Sequence, residues 1–316
     1  MNKIKQTAIK ALISLSIIVA IFSLVNLEQI WAKISDLSIG FIIFCLFYYT
    51  LLQWISCLRW QVILKSSGYK LPIIYLLKSY FCGMFLNLFL PGSFGGDVYR
   101  TFQVSRETQN AEVAAASVLL ERFTGLIALC FLAMLGLPFA WRLIDQWDIL
   151  LVFMITTGFL CMVWLTLTSP RLFNITKRVF TLFPLENLGN RLSKIQQAGI
   201  SFQRNSRVFN LSLFYATLFI LGVIYYHYLV AQQLNIEISY FELLVFIPMI
   251  TIVSLLPFSL GGLGIKEGFW VYLFLRIDLT AESAVILSLT ITVLAWIISL
   301  PGGLLLIFSK KLPLLD

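Results

Sequence analysis

A carboxylate and a guanidinium stand side by side, Glu121 and Arg122, in the middle of the apolar run Ala111 to Leu137. At the centre of a membrane helix a charge costs about 2.5–3.5 kcal/mol on insertion scales, so such a pair must face a cavity or an opposite charge. In the functional reading Arg122 holds an anionic group and Glu121 answers a neighbouring cation. In the plainer reading both belong to structural ion pairs with Asp97, Arg100, Lys266 or Glu267. Two clusters of proline and glycine carry related chemistry: Leu90-Pro91-Gly92-Ser93-Phe94-Gly95-Gly96 and Leu256-Pro257-Phe258-Ser259-Leu260-Gly261-Gly262 share the pattern Leu-Pro-x-Ser-x-Gly-Gly. Proline ends a helix, glycine permits positive φ, and the first N–H groups of the next helix then need an acceptor. In a medium without water an anion can serve. Asp97 is placed to cap the helix that continues through Val98, Tyr99 and Arg100, while Lys266 and Glu267 take the matching first turn after Gly264. Arg100 and Lys266 beside two helix N-termini favour a phosphate group. The plainer reading of each cluster is a kink between packed helices.

Other chemistry has little material. His227 is the single histidine and lies among Tyr225, Tyr226 and Tyr228, which reads as an interfacial aromatic belt more simply than as a base. Asp145 and Asp148 would suit a metal-dependent transferase, but two aspartates in a polar loop are ordinary. Cys45, Cys57, Cys82, Cys130 and Cys161 all fall inside apolar segments without CxxC spacing. They read as small core residues, and neither a metal nor a cofactor is expected.

The elements that must position these groups belong to a bilayer. Of the 316 residues 59% are hydrophobic and 12% charged, outside the range of ordinary soluble domains. The formal net charge of +8 would admit nucleic acid as a partner, but the lysines and arginines cluster at the ends of apolar runs, which fits membrane topology and excludes that class. Spanning helices are predicted from Ala8 to Val25, Ile39 to Cys57, Ala111 to Leu137, Ile149 to Leu167, Phe209 to Ala231 and Ser283 to Phe308. The first resembles a signal peptide but lacks an Ala-x-Ala-like cleavage site, so it reads as a retained helix. Ile73 to Leu90 and Leu243 to Pro257 are shorter, end in the Pro/Gly clusters, and are predicted to be re-entrant or broken.

The fold class expected is therefore an all-α polytopic membrane protein with about six full spans and two broken elements. With Lys3, Lys5 and Lys10 inside, the positive-inside rule puts the Arg59, Lys65 and Lys70 loop and the basic loop from Arg171 to Arg207 in the cytoplasm, together with both termini. A surface helix on anionic headgroups over Asn187 to Arg207 is the alternative to an ordinary connector there. By the same rule the first short element dips from the cytoplasm and the second from outside. The chain then reads as one membrane domain, 1–316, built from two repeats of opposite orientation, 1–148 and 149–316, in the manner of alternating-access transporters.

Three stretches carry a family resemblance: Phe85 through Arg100, Leu119 through Gly125, and Leu255 through Gly268. Together, in this order, they resemble the lysylphosphatidylglycerol synthase/flippase transmembrane family over nearly the whole chain. The resemblance implies a flippase-like domain of the cytoplasmic membrane. In bifunctional members this domain moves aminoacylated phosphatidylglycerol to the outer leaflet after a separate soluble domain makes it. With Asp316 just after the last helix, that synthase domain is expected to be absent, and aminoacyl transfer with it. Stand-alone relatives are associated with polyprenyl-linked sugars and hopanoids, so the lipid does not carry over.

The expectation is translocation of a polar-headed, anionic or aminoacylated lipid. Arg122, Arg100 and Lys266 would hold the headgroup beside Glu121, Asp97 and Glu267. Pro91, Ser93, Gly95, Gly96, Pro257, Ser259, Gly261, Gly262 and Gly264 would shape the broken elements. Besides the lipid, a homo-oligomer and a lipid-modifying enzyme are admitted as partners. Two other classes stay open: a membrane-embedded glycosyltransferase working through Asp145 or Asp148, and an accessory protein that scaffolds a lipid-modifying enzyme.

Overall fold

The computed structural model describes residues 37–88, 95–140, 205–255 and 264–308, with isolated positions between 147 and 204. The helices bounded within these stretches are α1 Ile39–Ser66, α2 Ile73–Asn87, α3 Gly95–Thr108, α4 Ala111–Gly136, α5 Ser206–Gln233, α6 Tyr240–Leu255, α7 Ile265–Leu275 and α8 Ala281–Phe308, and among the described residues there is no strand. Four of them, α1, α4 with the short 3₁₀ turn that follows it, α5 and α8, are long and apolar enough to cross a membrane. The chain is an all-α, multi-pass membrane protein. Of the six predicted spans, Ala8 to Val25 and most of Ile149 to Leu167 lie outside the described residues.

Helix limits follow from caps and breakers. Ser38 accepts the Phe41 N–H at the start of α1, Asn110 that of Val113 at α4, and Asn205 that of Val208 at α5. Ser239 and Glu242 form a reciprocal capping box on α6, with bonds of 2.8 and 3.1 Å. The prediction that α1 stops at Cys57 is corrected. The helix runs nine residues further, to Ser66, because no breaker intervenes until Gly68, whose φ is +90°, and Pro72 then opens α2. Arg59 and Lys65 therefore stand on a helix and not in a loop.

The order long, short, short, long occurs twice, as 28, 15, 14 and 26 residues in α1–α4 and 28, 16, 11 and 28 in α5–α8. Leu90 and Leu256 are 166 positions apart, and moving α1–α4 by that distance brings each within four residues of the start of its counterpart. Packing follows the same exchange: α1 lies on α5, α2 on α8, and α4 on α6. Glycines permit two of these approaches at equivalent positions. A Cβ on Gly302 of α8 would fall 2.0 Å from the Phe81 carbonyl oxygen of α2, and one on Gly136 of α4 would fall 2.6 Å from Leu244 Cβ of α6. The largest buried side chains, among them Trp60, Tyr226, Phe246, Trp270 and Phe274, fill the interior, while Ile39, Phe47, Trp54, Phe214 and Trp296 point outward, as a lipid-facing surface requires.

Candidate functional site

Glu121 is 2% exposed in the middle of α4, where an ionised carboxylate is tolerated only if it is fully answered. Four donors answer it. Oε1 accepts from Arg59 Nη2 at 2.5 Å, from Ser56 Oγ at 3.1 Å and from the Tyr80 hydroxyl; Oε2 accepts from Arg100 Nη2. These donors come from α1, α2 and α3, so one carboxylate ties four helices together. Ser56 and Arg59 are three apart on α1, which places both on the face toward α4.

Aromatic rings wall the cluster. The Arg100 guanidinium lies 3.6 Å from the Tyr80 ring centroid and 4.1 Å from that of Trp60, and the two rings meet edge to face. Trp60 is fixed by its indole N–H, which donates to Ser117 Oγ at 3.0 Å. Arg100 reaches this place because α3 begins in close contact with α2: a Cβ on Gly96 would lie 2.4 Å from the Gly83 carbonyl oxygen. The Gly96 N–H donates to Asn87 Oδ1 at 2.6 Å, so a side chain already serves that amide at the start of α3.

Asp97 and Arg122 form the less buried edge. Asp97 pairs with Arg122 Nε through one oxygen and with Arg100 Nη1 at 3.4 Å through the other. The expectation that Asp97 caps α3 is corrected. The helix already starts at Gly95, which puts Asp97 within the first turn, where its carboxylate turns to the two arginines. Both inner arginines retain unused donors: Arg59 Nε and Nη1 and Arg100 Nε are buried without a hydrogen-bond partner among the described residues.

The second half is built differently. Gly264, at φ +85°, precedes α7, and its N–H donates to Glu267 Oε2 at 2.6 Å, so the carboxylate occupies the place where a ligand anion was expected. Ser288 donates to the other Glu267 oxygen at 3.3 Å, and Lys266 donates to Thr292 Oγ1 at 3.3 Å. Lys266 and Glu267 thus bond to α8 and to the start of their own helix, and the structure does not bring them into the Glu121 cluster. At the positions 166 residues beyond Arg59, Tyr80, Arg100 and Glu121 stand Tyr225, Phe246, Lys266 and Leu287, so these four positions carry a cation but no carboxylate.

Residues 7–303 match the family described as the lysylphosphatidylglycerol synthase TM region. The chain belongs to this family. Its relatives include a UPF0104 membrane protein of Pyrococcus horikoshii, 20% identical over 327 residues that cover 95% of this chain and 96% of the relative. No solved structure matches the chain.

Among the predicted site residues, Arg100, Asp97, Glu121 and Arg122 come together. Pro91, Ser93, Pro257, Ser259, Gly261 and Gly262 lie outside the described residues, as does Asp145. Asp148 accepts from the Tyr272 hydroxyl at 2.5 Å and pairs with Arg276, and no group of three or more metal-ligating side chains occurs among the described residues. His227 bonds through Nδ1 to the Val223 carbonyl of its own helix at 2.8 Å and stacks on Trp270 of α7, a packing role between the two helices. Arg59 was missed because a charge at the end of an apolar run reads as a loop residue. The signal was the apolar sequence resuming after it, Trp60 through Leu64, with no breaker before Gly68.

Proposed function

We propose that the protein translocates a polar-headed, anionic or aminoacylated lipid across the cytoplasmic membrane. Membership of the family supports a lipid-related role, and one observation of the site carries the reading further. The half-buried Asp97–Arg122 pair adjoins a buried cluster in which two guanidiniums share one carboxylate and keep unused donors, inside helices long enough to span the bilayer. An array of this kind can take an anionic headgroup away from water, where charge-assisted hydrogen bonds are strong. The twofold recurrence of helix order and the exchange of packing partners support two halves of opposite orientation, 1–148 and 149–316, that rock about the site.

The test is leaflet-resolved movement of labelled anionic, aminoacylated and polyprenyl lipids in proteoliposomes. The unmutated protein is expected to accelerate one class, and Arg122→Ala, folded by its thermal unfolding in detergent, is expected to reduce that movement at least about tenfold. Movement by Arg122→Ala at the unmutated rate would remove Arg122 from the site. No movement of any lipid by the unmutated protein would overturn the transport reading.

A further inference from the structure

The charge balance inside the cluster is uneven. Arg59, Arg100 and Glu121 sum to one net positive charge, and each of the three is at most 5% exposed. Buried guanidiniums normally use their N–H groups fully, because an unpaired buried donor costs its whole desolvation. Here three nitrogens, Arg59 Nε and Nη1 and Arg100 Nε, are buried and unbonded among the described residues, while Glu121 already holds Nη2 of both arginines.

A carboxylate offers two oxygens, whereas a phosphate offers up to four acceptors around one centre and suits two planar guanidiniums better. Gly125 lets α4 come close to Arg59, since a Cβ there would stand 3.3 Å from Nη1. Asp97 and Arg122, whose side chains are 16% and 26% exposed, form the less buried edge of the cluster.

We infer that Arg59 and Arg100 form a receptor for a phosphate-type oxyanion, and that Glu121 is its resident counter-anion, held in the receptor until an incoming anion displaces it. This rests on the transport reading for its biological use but not for its chemistry. Glu121 then keeps the two arginines apart from competing anions and sets a threshold on affinity, because the ligand must outbid a carboxylate with four donors. Arg59 becomes the specificity-determining residue of the site, and the positions equivalent to Arg59 and Glu121 in the second half, Tyr225 and Leu287, cannot supply the same receptor.

The inference is tested by calorimetric titration of purified protein in detergent with two probes, inorganic phosphate and dihexanoyl phosphatidylglycerol. Glu121→Gln keeps an acceptor oxygen but removes the charge, and it is expected to bind one probe at least about tenfold tighter than the unmutated chain. The probe that gains distinguishes a lipid headgroup from free phosphate. Adding Arg59→Gln to that variant is expected to cancel the gain. Should Glu121→Gln fail to fold, Glu121→Asp serves in its place, because its carboxylate is one methylene too short to reach both guanidiniums, and the same tightening is expected. A folded variant that binds neither probe more tightly overturns the inference, as does a gain that survives loss of Arg59. Lipid movement by the unmutated protein without this gain sinks the inference alone; the gain without lipid movement sinks the transport reading alone.

Discussion

Glu121 is held by four donors on three helices, and its removal exposes the cost of burying charge without a partner. Replacing it with alanine removes both the charge and the acceptor, and leaves Arg59 and Arg100 together in a site lined by Trp60 and Tyr80. Such uncompensated burial costs roughly 3–5 kcal/mol. Glu121→Ala is therefore expected to lower the unfolding temperature in detergent far more than Arg122→Ala, whose side chain is a quarter exposed; equal losses would contradict the assignment of the inner cluster as the better-buried one. Much of this chemistry was legible in the residue types. A glutamate in mid-span demands cations, and Arg100 was among those named. Arg59 was not legible as a partner, since hydropathy marks where apolar runs weaken and not where a helix ends, and a helix continues through a charge that is neutralised from another segment. The Asp97–Arg122 pair shows the opposite limit: both residues were singled out, but a one-turn difference in where α3 begins changed Asp97 from a cap into a counter-ion.

At the scale of elements, the joints between helices are made by missing side chains. On α8 a Cβ at Gly302 would meet the Phe81 carbonyl at 2.0 Å, a contact with backbone that no rotamer change relieves. Gly302→Ala is expected to force α8 away from α2 and to destabilise the fold by about 1–3 kcal/mol or more, as overpacking does, whereas Gly40→Ala, with nothing within 4 Å of its Cβ, is expected to leave the unfolding temperature unchanged or slightly raised. Thermal unfolding of the two variants side by side checks the contrast. The long helices were readable from hydropathy to within a few residues at most ends, because a bilayer fixes their length. The short ones were readable from the Pro/Gly clusters that follow them in the sequence, although residues 89–94 and 256–263 lie outside the described residues. Which helix would lie on which was not readable, since α2 on α8 and α4 on α6 depend on glycines that look like any others in the chain.

At the scale of the whole molecule, helix order and packing recur among the described residues between the two halves of the chain, but the charges do not. Helix order and packing partners recur in the second half, yet Tyr225, Phe246 and Leu287 stand where the first half has Arg59, Tyr80 and Glu121. Recurrence of a pattern of apolar segments and Pro/Gly clusters was visible in the sequence at a fixed offset; the loss of charge from one copy was equally visible there, but it acquired meaning only once Arg59 and Glu121 were seen in contact. One consequence reaches beyond the site. The trio Arg59, Arg100 and Glu121 carries a single positive charge when empty and is neutral with one monovalent anion bound, so in the proposed transport cycle this trio would respond to an electric field only when empty. Moving one elementary charge through a full membrane potential is worth about 2.3 kcal/mol per 100 mV. Imposing a potassium diffusion potential on the proteoliposomes should therefore speed or slow turnover according to its sign, while leaving a single passage of preloaded lipid untouched; voltage would then set the rhythm of the cycle through the unloaded return stroke.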